Sequence, residues 1–404
     1  MPGLPPRPAR VAALLFVILC AGWYIHDSFT ARMPDSSPSD FRWYYLAAQH
    51  VVHGESPFLS QGYLYPPLLA CLMTPLAALD YVSARRVWFL FSHACLLTAA
   101  WLTWRHLGSD WLAGCVVALV WALGGAAGEN LSLGQTGPLL TLLLAVACTR
   151  TGWSQAASIG IGFAAKLIPG VLCVVLALKR DWRNLLVTLC WSALLLAIPW
   201  VIVARLEGPK APLRQDYLAG TPAVLSWSLP SVALRLAEPP APDGRPPNDW
   251  LEGNTLQVLR LPRSRLLLSV GVALAVFGVG CLTLAAKVRG RLSPKQVPLA
   301  AAAVVALALA AAPVCWTHYQ VMQYPGVALL LGFAARSRQW PLFAAGLLCA
   351  ACLYPVPVAV LRAYYERGGG WPHSPSVMYF WTSVSAVASL ALFGLMTEAF
   401  NRDP

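Results

Sequence analysis

The chain has 404 residues, of which 58% are hydrophobic and 11% charged, with a formal net charge of +12. Soluble domains carry about 25% charged residues, so this composition excludes a water-soluble globular protein and points to one polytopic membrane domain over 1–404. The Lys and Arg residues stand in short clusters between apolar runs, the distribution that orients helices in a bilayer, which excludes a nucleic-acid-binding arm.

Arg7 and Arg10 precede an apolar run from Val11 that closes on Ala21-Gly22-Trp23-Tyr24. No small-x-small cleavage site follows, so the run reads as an uncleaved first membrane helix over 11–28. A span needs roughly 20 apolar residues. Further spans are expected at 65–79, 83–104, 111–128, 136–150, 154–178, 184–205, 264–286, 296–313, 319–335, 339–361 and 375–397, about twelve in all. Two long segments fall outside, 29–64 and 206–263, and the second holds ten of the 33 prolines. Its stretch Glu238-Pro-Pro-Ala-Pro-Asp-Gly-Arg-Pro-Pro247 reads as irregular. The chain is thus expected to be an all-α integral membrane protein.

With the N-terminus inside, the inside loops hold 14 basic residues: Arg7, Arg10, Arg85, Arg86, Lys179, Arg180, Arg183, Lys287, Arg289, Arg291, Lys295, Arg336, Arg338 and Arg402. Six lie outside, the long loop aside: Arg32, Arg42, Arg105, Arg150, Arg362 and Arg367. That bias puts both termini in the cytoplasm of a multi-pass protein of the cell (plasma or inner) membrane. Almost all of the eleven cysteines lie in apolar runs, Cys349 and Cys352 included, and read as small hydrophobes. Neither a disulfide framework nor a thiol metal site is expected. No HExxH and no close carboxylate cluster occurs, so no metal and no cofactor is expected.

The first outside loop carries Ser39-Asp40-Phe41-Arg42-Trp43-Tyr44-Tyr45, then Gly54-Glu55, then Tyr65-Pro66-Pro67. Ser39 or Asp40 is a good helix cap. The helix after it is amphipathic, with Phe41, Tyr44, Tyr45 and Ala48 at i, i+3, i+4 and i+7, and its rings suit a membrane–water interface. The bland reading of Asp40 is a cap alone. Lys166, with apolar sequence on either side, falls near the middle of the sixth expected span, where a charge is costly and marks function by default. Glu129, at the end of the fourth, is a candidate partner for it.

The order Asp40-Phe-x-x-Tyr-Tyr-x-Ala-Ala, then Gly, then Tyr65-Pro-Pro resembles glycosyltransferase family 87. Four later segments extend the resemblance. Asn130-Leu131-Ser132-Leu133-Gly134-Gln135 is similar to the family's Asn-x-x-x-Gly-Gln segment, and Ala164-Ala165-Lys166-Leu167-Ile168-Pro169 to its Ala-x-Lys-x-x-Pro. Ser226-Trp227-Ser228-Leu229 resembles an Asn-Gln-Ser-Leu segment with Ser for Asn and Trp for Gln. Ala312-Pro313-Val314-Cys315-Trp316-Thr317-His318-Tyr319 is similar to Ser-Pro-x-Ser-Trp-x-His-His/Tyr.

The resemblance implies a GT-C-type helical bundle with interfacial helices in its first outside loop. It implies a mannosyltransferase drawing on a polyprenyl-phosphate-linked sugar. The implied acceptor is a glycolipid or glycan hydroxyl on the extracytoplasmic face; membrane lipids are the other partners, and nucleic acid is not one. Asp40 is the implied general base, and one displacement would invert the anomeric centre. Glu55 is the reserve base. His318, Arg235 and, less so, Arg42 are implied donors to the phosphate, Lys166 is a further phosphate ligand, and Tyr44, Tyr65, Asn130 and Gln135 join the substrate-binding set. Helix parity, however, puts Asn130 and Gln135 on the cytoplasmic face, away from Asp40, unless their segment stops inside the bilayer. Three rivals remain: a lipid-linked-sugar transporter or flippase, a glycan polymerase, and a non-catalytic scaffold.

Overall fold

A computed structural model describes residues 7–30, 32–37, 39–60, 62–63, 65–207, 226, 228–237, 263–288, 290–366 and 375–401. Helices dominate these residues, in the order α1 Arg7–Ile25, α2 Phe41–Val52, α3 Pro67–Leu72, α4 Tyr81–His106, α5 Trp111–Ala122, α6 Gly125–Leu133, α7 Gly137–Thr149, α8 Trp153–Ala165, α9 Cys173–Leu178 and α10 Trp182–Glu207. There follow α11 Leu229–Ala237, α12 Arg263–Lys287, α13 Val297–Ala311, α14 Tyr324–Arg336, α15 Trp340–Leu353, α16 Pro355–Glu366 and α17 Pro375–Asn401.

Helix α13 is the centre of the bundle, with all fifteen of its residues buried. It is mostly Ala and Val, and small side chains let neighbouring helices approach closely in lipid. Helices α12, α14 and α17 pack around it. Leu, Ile, Val and Trp side chains of α1, α10 and α12 instead stay exposed, as lipid-facing surfaces do.

Among the described residues, four helices are long and apolar enough to cross a membrane alone, and six if each of two bent pairs is one span. The bends are 54° between α5 and α6, at the Gly124-Gly125 pair, and 45° between α15 and α16, at Pro355. Glycine pairs and proline are ordinary causes of such kinks. The expectation of about twelve spans is not met by length and apolarity alone.

Two expected spans differ in detail. The run 65–79 is not one helix: it is the six-residue α3 and a 3-10 turn Thr74–Ala78, both packed on α2. Pro75 lacks the N–H that a continuous helix needs there. Helix α4 therefore starts at the same end of the bundle as the first loop. The run 154–178 also breaks: α8 stops at Ala165, and a 3-10 turn Ile168–Leu172 leads into α9. The second break restores the parity that the first one shifts.

The far end is tied by ion pairs and carbonyl contacts. Arg336 Nη1 donates to Asp110 Oδ2 at 2.9 Å, Lys287 meets Glu398 at 3.1 Å, and Arg291 Nε donates to the Lys179 carbonyl at 2.7 Å. The first loop, residues 130–136, Lys166 and residues 312–323 gather at the other end.

Candidate active site

Asp40 precedes α2 with helical backbone angles, φ −62° and ψ −25°, and its side chain makes no capping bond. Ser39 does not cap either; its hydroxyl lies 3.2 Å from that of Tyr81. The capping explanation of Asp40 thus fails, and its carboxylate is free for another use. The ring stripe of α2 holds the helix in place: Phe41, Tyr44, Tyr45 and Ala48 are all buried, as their spacing predicts.

Gln135 Nε2 donates to Asp40 Oδ2 at 2.5 Å. The same amide's Oε1 accepts from the Tyr44 hydroxyl at 2.7 Å and from that of Tyr65 at 3.1 Å. The two phenols are 3.0 Å apart, with rings edge to face. Those acceptor bonds fix which way the amide points, so its NH2 faces Asp40. Burial raises the Tyr44 phenol well above its ordinary pKa, which keeps it a donor. Burial likewise pushes the Asp40 carboxyl above the usual carboxylate range. The Gln135 bond and the positive charge of Lys166 pull the other way.

Lys166 is not inside a helix. It ends α8 in extended conformation, φ −161° and ψ 122°, where Pro169 stands three residues ahead. Its Nζ donates to the Tyr65 hydroxyl at 3.2 Å and lies 3.5 Å from the centre of the Tyr319 ring. A phenol oxygen and a ring face are both weak neutral partners for a cation. Glu129, its candidate partner, is engaged elsewhere. It accepts from the Thr317 hydroxyl at 2.6 Å and sits 4.0 Å from His318 Nδ1.

His318 is buried in the 3-10 turn Thr317–Gln323, and its Nε2 has no hydrogen-bond partner among the described residues. Its carbonyl accepts from Asn130 Nδ2 at 2.6 Å. Asn130 is wholly buried and also donates to the Ala126 carbonyl at 2.7 Å, so it is a brace between two segments.

Two expected residues, Glu55 and Arg42, are not brought into this group. Glu55 is exposed and pairs with His50 Nδ1 at 2.6 Å beyond the C-terminal end of α2, whereas Asp40 precedes its first residue. Twelve helical residues at about 1.5 Å each separate them. Arg42 is exposed, its guanidinium 5.9 Å from the Trp43 ring centre. Arg235 stands on α11, and its side chain, like all of Trp227 and 238–262, lies outside the described residues.

The five resembling segments do meet. Gln135 joins the second to the first, and Lys166 joins the third to the first through Tyr65 and to the fifth through Tyr319. Asn130 joins the second to the fifth. Ser226 forms an antiparallel bridge with Trp316, and its Oγ accepts from the Cys315 N–H at 3.1 Å. Asn130 and Gln135 thus share an end of the bundle with Asp40, against the parity expectation, since 65–79 is not one continuous helix. Tyr319 lies in a resembling segment that by itself gives its ring no role, and Arg85 reads from the sequence as an inside anchor. Arg85 is in fact buried at the site end. Its place in the second turn of a long apolar helix is the available signal.

The sequence model described as Glycosyltransferase family 87 matches residues 63–227. A polyprenol-phosphate-mannose-dependent alpha-(1-2)-phosphatidylinositol mannoside mannosyltransferase of Mycobacterium tuberculosis is 27% identical over 363 residues, 84% of this chain and 79% of the relative. Among solved structures, apo ArnT from Cupriavidus metallidurans aligns with a TM-score of 0.37 and 14% identity, covering 96% of this chain and 78% of that one.

Proposed function

We propose that this chain, which is similar to glycosyltransferase family 87 over residues 63–227, moves mannose from a polyprenyl-phosphate carrier to a glycolipid or glycan hydroxyl, with Asp40 as general base. The observation that carries this reading is the carboxylate itself. It caps nothing, and its Oδ2 is held by an amide whose orientation two phenols fix.

The chemistry follows from these parts. A hydroxyl is a weak nucleophile until its proton is taken, and a positioned carboxylate is the simplest acceptor for it. With Oδ2 bound by Gln135, Oδ1 is left for the acceptor's proton. The acceptor oxygen then bonds to the anomeric carbon as the bond from that carbon to the carrier phosphate breaks. The carrier leaves as the phosphate and takes the bonding pair. One such displacement inverts the centre, so a β-linked donor gives an α-linked product. Negative charge grows on the leaving phosphate, and the Lys166 ammonium and His318 Nε2 stand by to meet it; preorganised charge of this kind is worth most where charge develops.

Orientation is part of the proposal. The end away from Asp40 carries Arg105, Arg150, Lys179, Arg180, Arg183, Lys287, Arg291, Lys295, Arg336 and Arg338. That end would face the cytoplasm and the site the opposite side. Moving Arg85 and Arg86 to the site end and Arg105 and Arg150 away from it exchanges two residues for two, so the charge bias survives the corrected path.

Purified protein incubated with polyprenyl-phosphate mannose and a panel of glycolipids tests the reading. A phosphatidylinositol mannoside comes first in that panel, because the Mycobacterium tuberculosis relative is named for it. Asp40→Asn is expected to abolish turnover while donor binding persists. Unchanged turnover in Asp40→Asn removes this residue from the mechanism. Sugar transfer in detergent, where nothing can be transported, separates a transferase from a flippase.

A further inference from the structure

Tyr81, Arg85 and Trp88 fall at i, i+4 and i+7 of α4, on one face of its first two turns. Each is bonded to a residue close to Asp40 or Gln135. The Tyr81 hydroxyl meets Ser39 Oγ at 3.2 Å, one residue before Asp40. Trp88 Nε1 donates to the Gly134 carbonyl at 2.9 Å, one residue before Gln135. Arg85 reaches both segments. Its Nη1 donates to the Asp35 and Ser37 carbonyls at 2.9 Å each and to Asp35 Oδ1 at 3.2 Å, and its Nη2 donates to the Ser132 carbonyl at 2.8 Å.

The geometry points to Arg85 as a positioning residue: its guanidinium joins the segment that carries Asp40 to the segment that carries Gln135, and so sets the contact between those two side chains. This rests on Asp40 being the base. Arg85 touches neither Asp40 nor Gln135, so it acts through them. It is buried, whereas Asp35 is exposed, so the ion pair between them is the lesser part and the carbonyl bonds the greater. A planar fork with several donors can hold three carbonyls on two segments at once. A lysine, with one nitrogen, cannot do so in that geometry. Losing those donors would loosen the tie between the two segments, since each carbonyl would turn to water instead.

Arg85→Lys is expected to lower kcat about tenfold or more with little change in the KM for donor, since a small misplacement near the reacting atoms is costly. It should also move the acid limb of the pH profile upward, as Gln135→Leu does, because both weaken one bond to Asp40. The charged and titratable groups around Asp40 are Lys166, Glu129 and the phenols of Tyr44, Tyr65 and Tyr319. None of these is bonded to Arg85 among the described residues, so their influence on the limb is the same in both proteins. The deciding measurement is a double-mutant cycle. If Arg85 acts through Gln135, Arg85→Lys in the Gln135→Leu background costs little more than Gln135→Leu alone. Losses in kcat that simply multiply overturn the inference, as does wild-type kcat in Arg85→Lys. Trp88→Phe, which removes the bond to Gly134, serves if Arg85→Lys does not fold; it should show the same non-additivity, and multiplying losses there overturn the inference too. Asp40→Asn is run alongside: if it keeps its turnover the base assignment fails, whereas an inert Asp40→Asn beside a wild-type-like Arg85→Lys refutes only the role of Arg85.

Discussion

Gln135 gives its amide hydrogen to Asp40 from 95 residues away in the chain, and the far side of the same amide is fixed by Tyr44 and Tyr65. The bond stabilises the charged form of a carboxylate that burial disfavours. Its strength and its direction therefore both bear on whether Asp40 can take a proton.

The first expectation concerns pH. A raised Asp40 pKa means that the carboxylate is present above that pKa and is lost as pH falls through it. The acid limb of kcat/KM should thus lie above the ordinary carboxylate range. In Gln135→Leu, which removes an influence that lowers the pKa, the limb moves further up, and kcat falls by roughly ten- to a hundredfold. A limb that stays put while kcat falls would mean that Gln135 serves something other than Asp40.

Lys166→Met takes away the second influence that favours ionised Asp40, so its limb also moves up. Turnover should drop by a factor of about a hundred, since the leaving phosphate loses a cation. The melting temperature should hold or rise, because among the described residues Lys166 meets the hydroxyl and ring of Tyr65 and the ring face of Tyr319, all neutral, and an apolar side chain replaces it at no desolvation cost. Thermal unfolding in detergent beside single-turnover kinetics checks both halves.

Gly134 has a left-handed φ of +69°, and a Cβ there would lie 2.6 Å from Phe41 Cβ. Gly54 has a similar φ of +75° with open space around it. Gly54→Ala is expected to cost about 1 kcal/mol from backbone strain alone. Gly134→Ala adds a clash, for a total of roughly 2–4 kcal/mol, and displaces the helix that Asp40 begins. Comparing the two by thermal unfolding and turnover separates strain from displacement: only Gly134→Ala should lose activity in the folded fraction.

Glu55→Gln should transfer sugar as the wild type does. Its partner is His50, and α2 lies between it and Asp40. A loss of more than about tenfold in kcat would place Glu55 in the chemistry after all.

Much of the candidate site's assembly was legible because short segments carry it. Asp40, Gln135, Lys166 and His318 each sit in a resembling segment, and all of them converge. What could not be read was path. The apolar run 65–79 looks like a span by content, and only its prolines say that no continuous helix forms there. The same blindness put Lys166 in mid-helix: apolar residues stand on both sides of it, yet the helix stops at Ala165. Because one missed break undid the other, the later loops were assigned to their observed ends for a reason the sequence did not show. Pairings such as Arg85 with the Ser132 carbonyl depend on tertiary placement and leave no periodic trace.

Ser226 forms an antiparallel bridge with Trp316, the residue just before the turn that carries His318 and Tyr319. A shift of Ser226 would move this turn and with it the Tyr319 ring that Lys166 rests on. Substitution of Ser226 therefore has a lever on the proposed reaction through the backbone of this turn, which makes the bridge a place where one chemistry can be tuned from a distance.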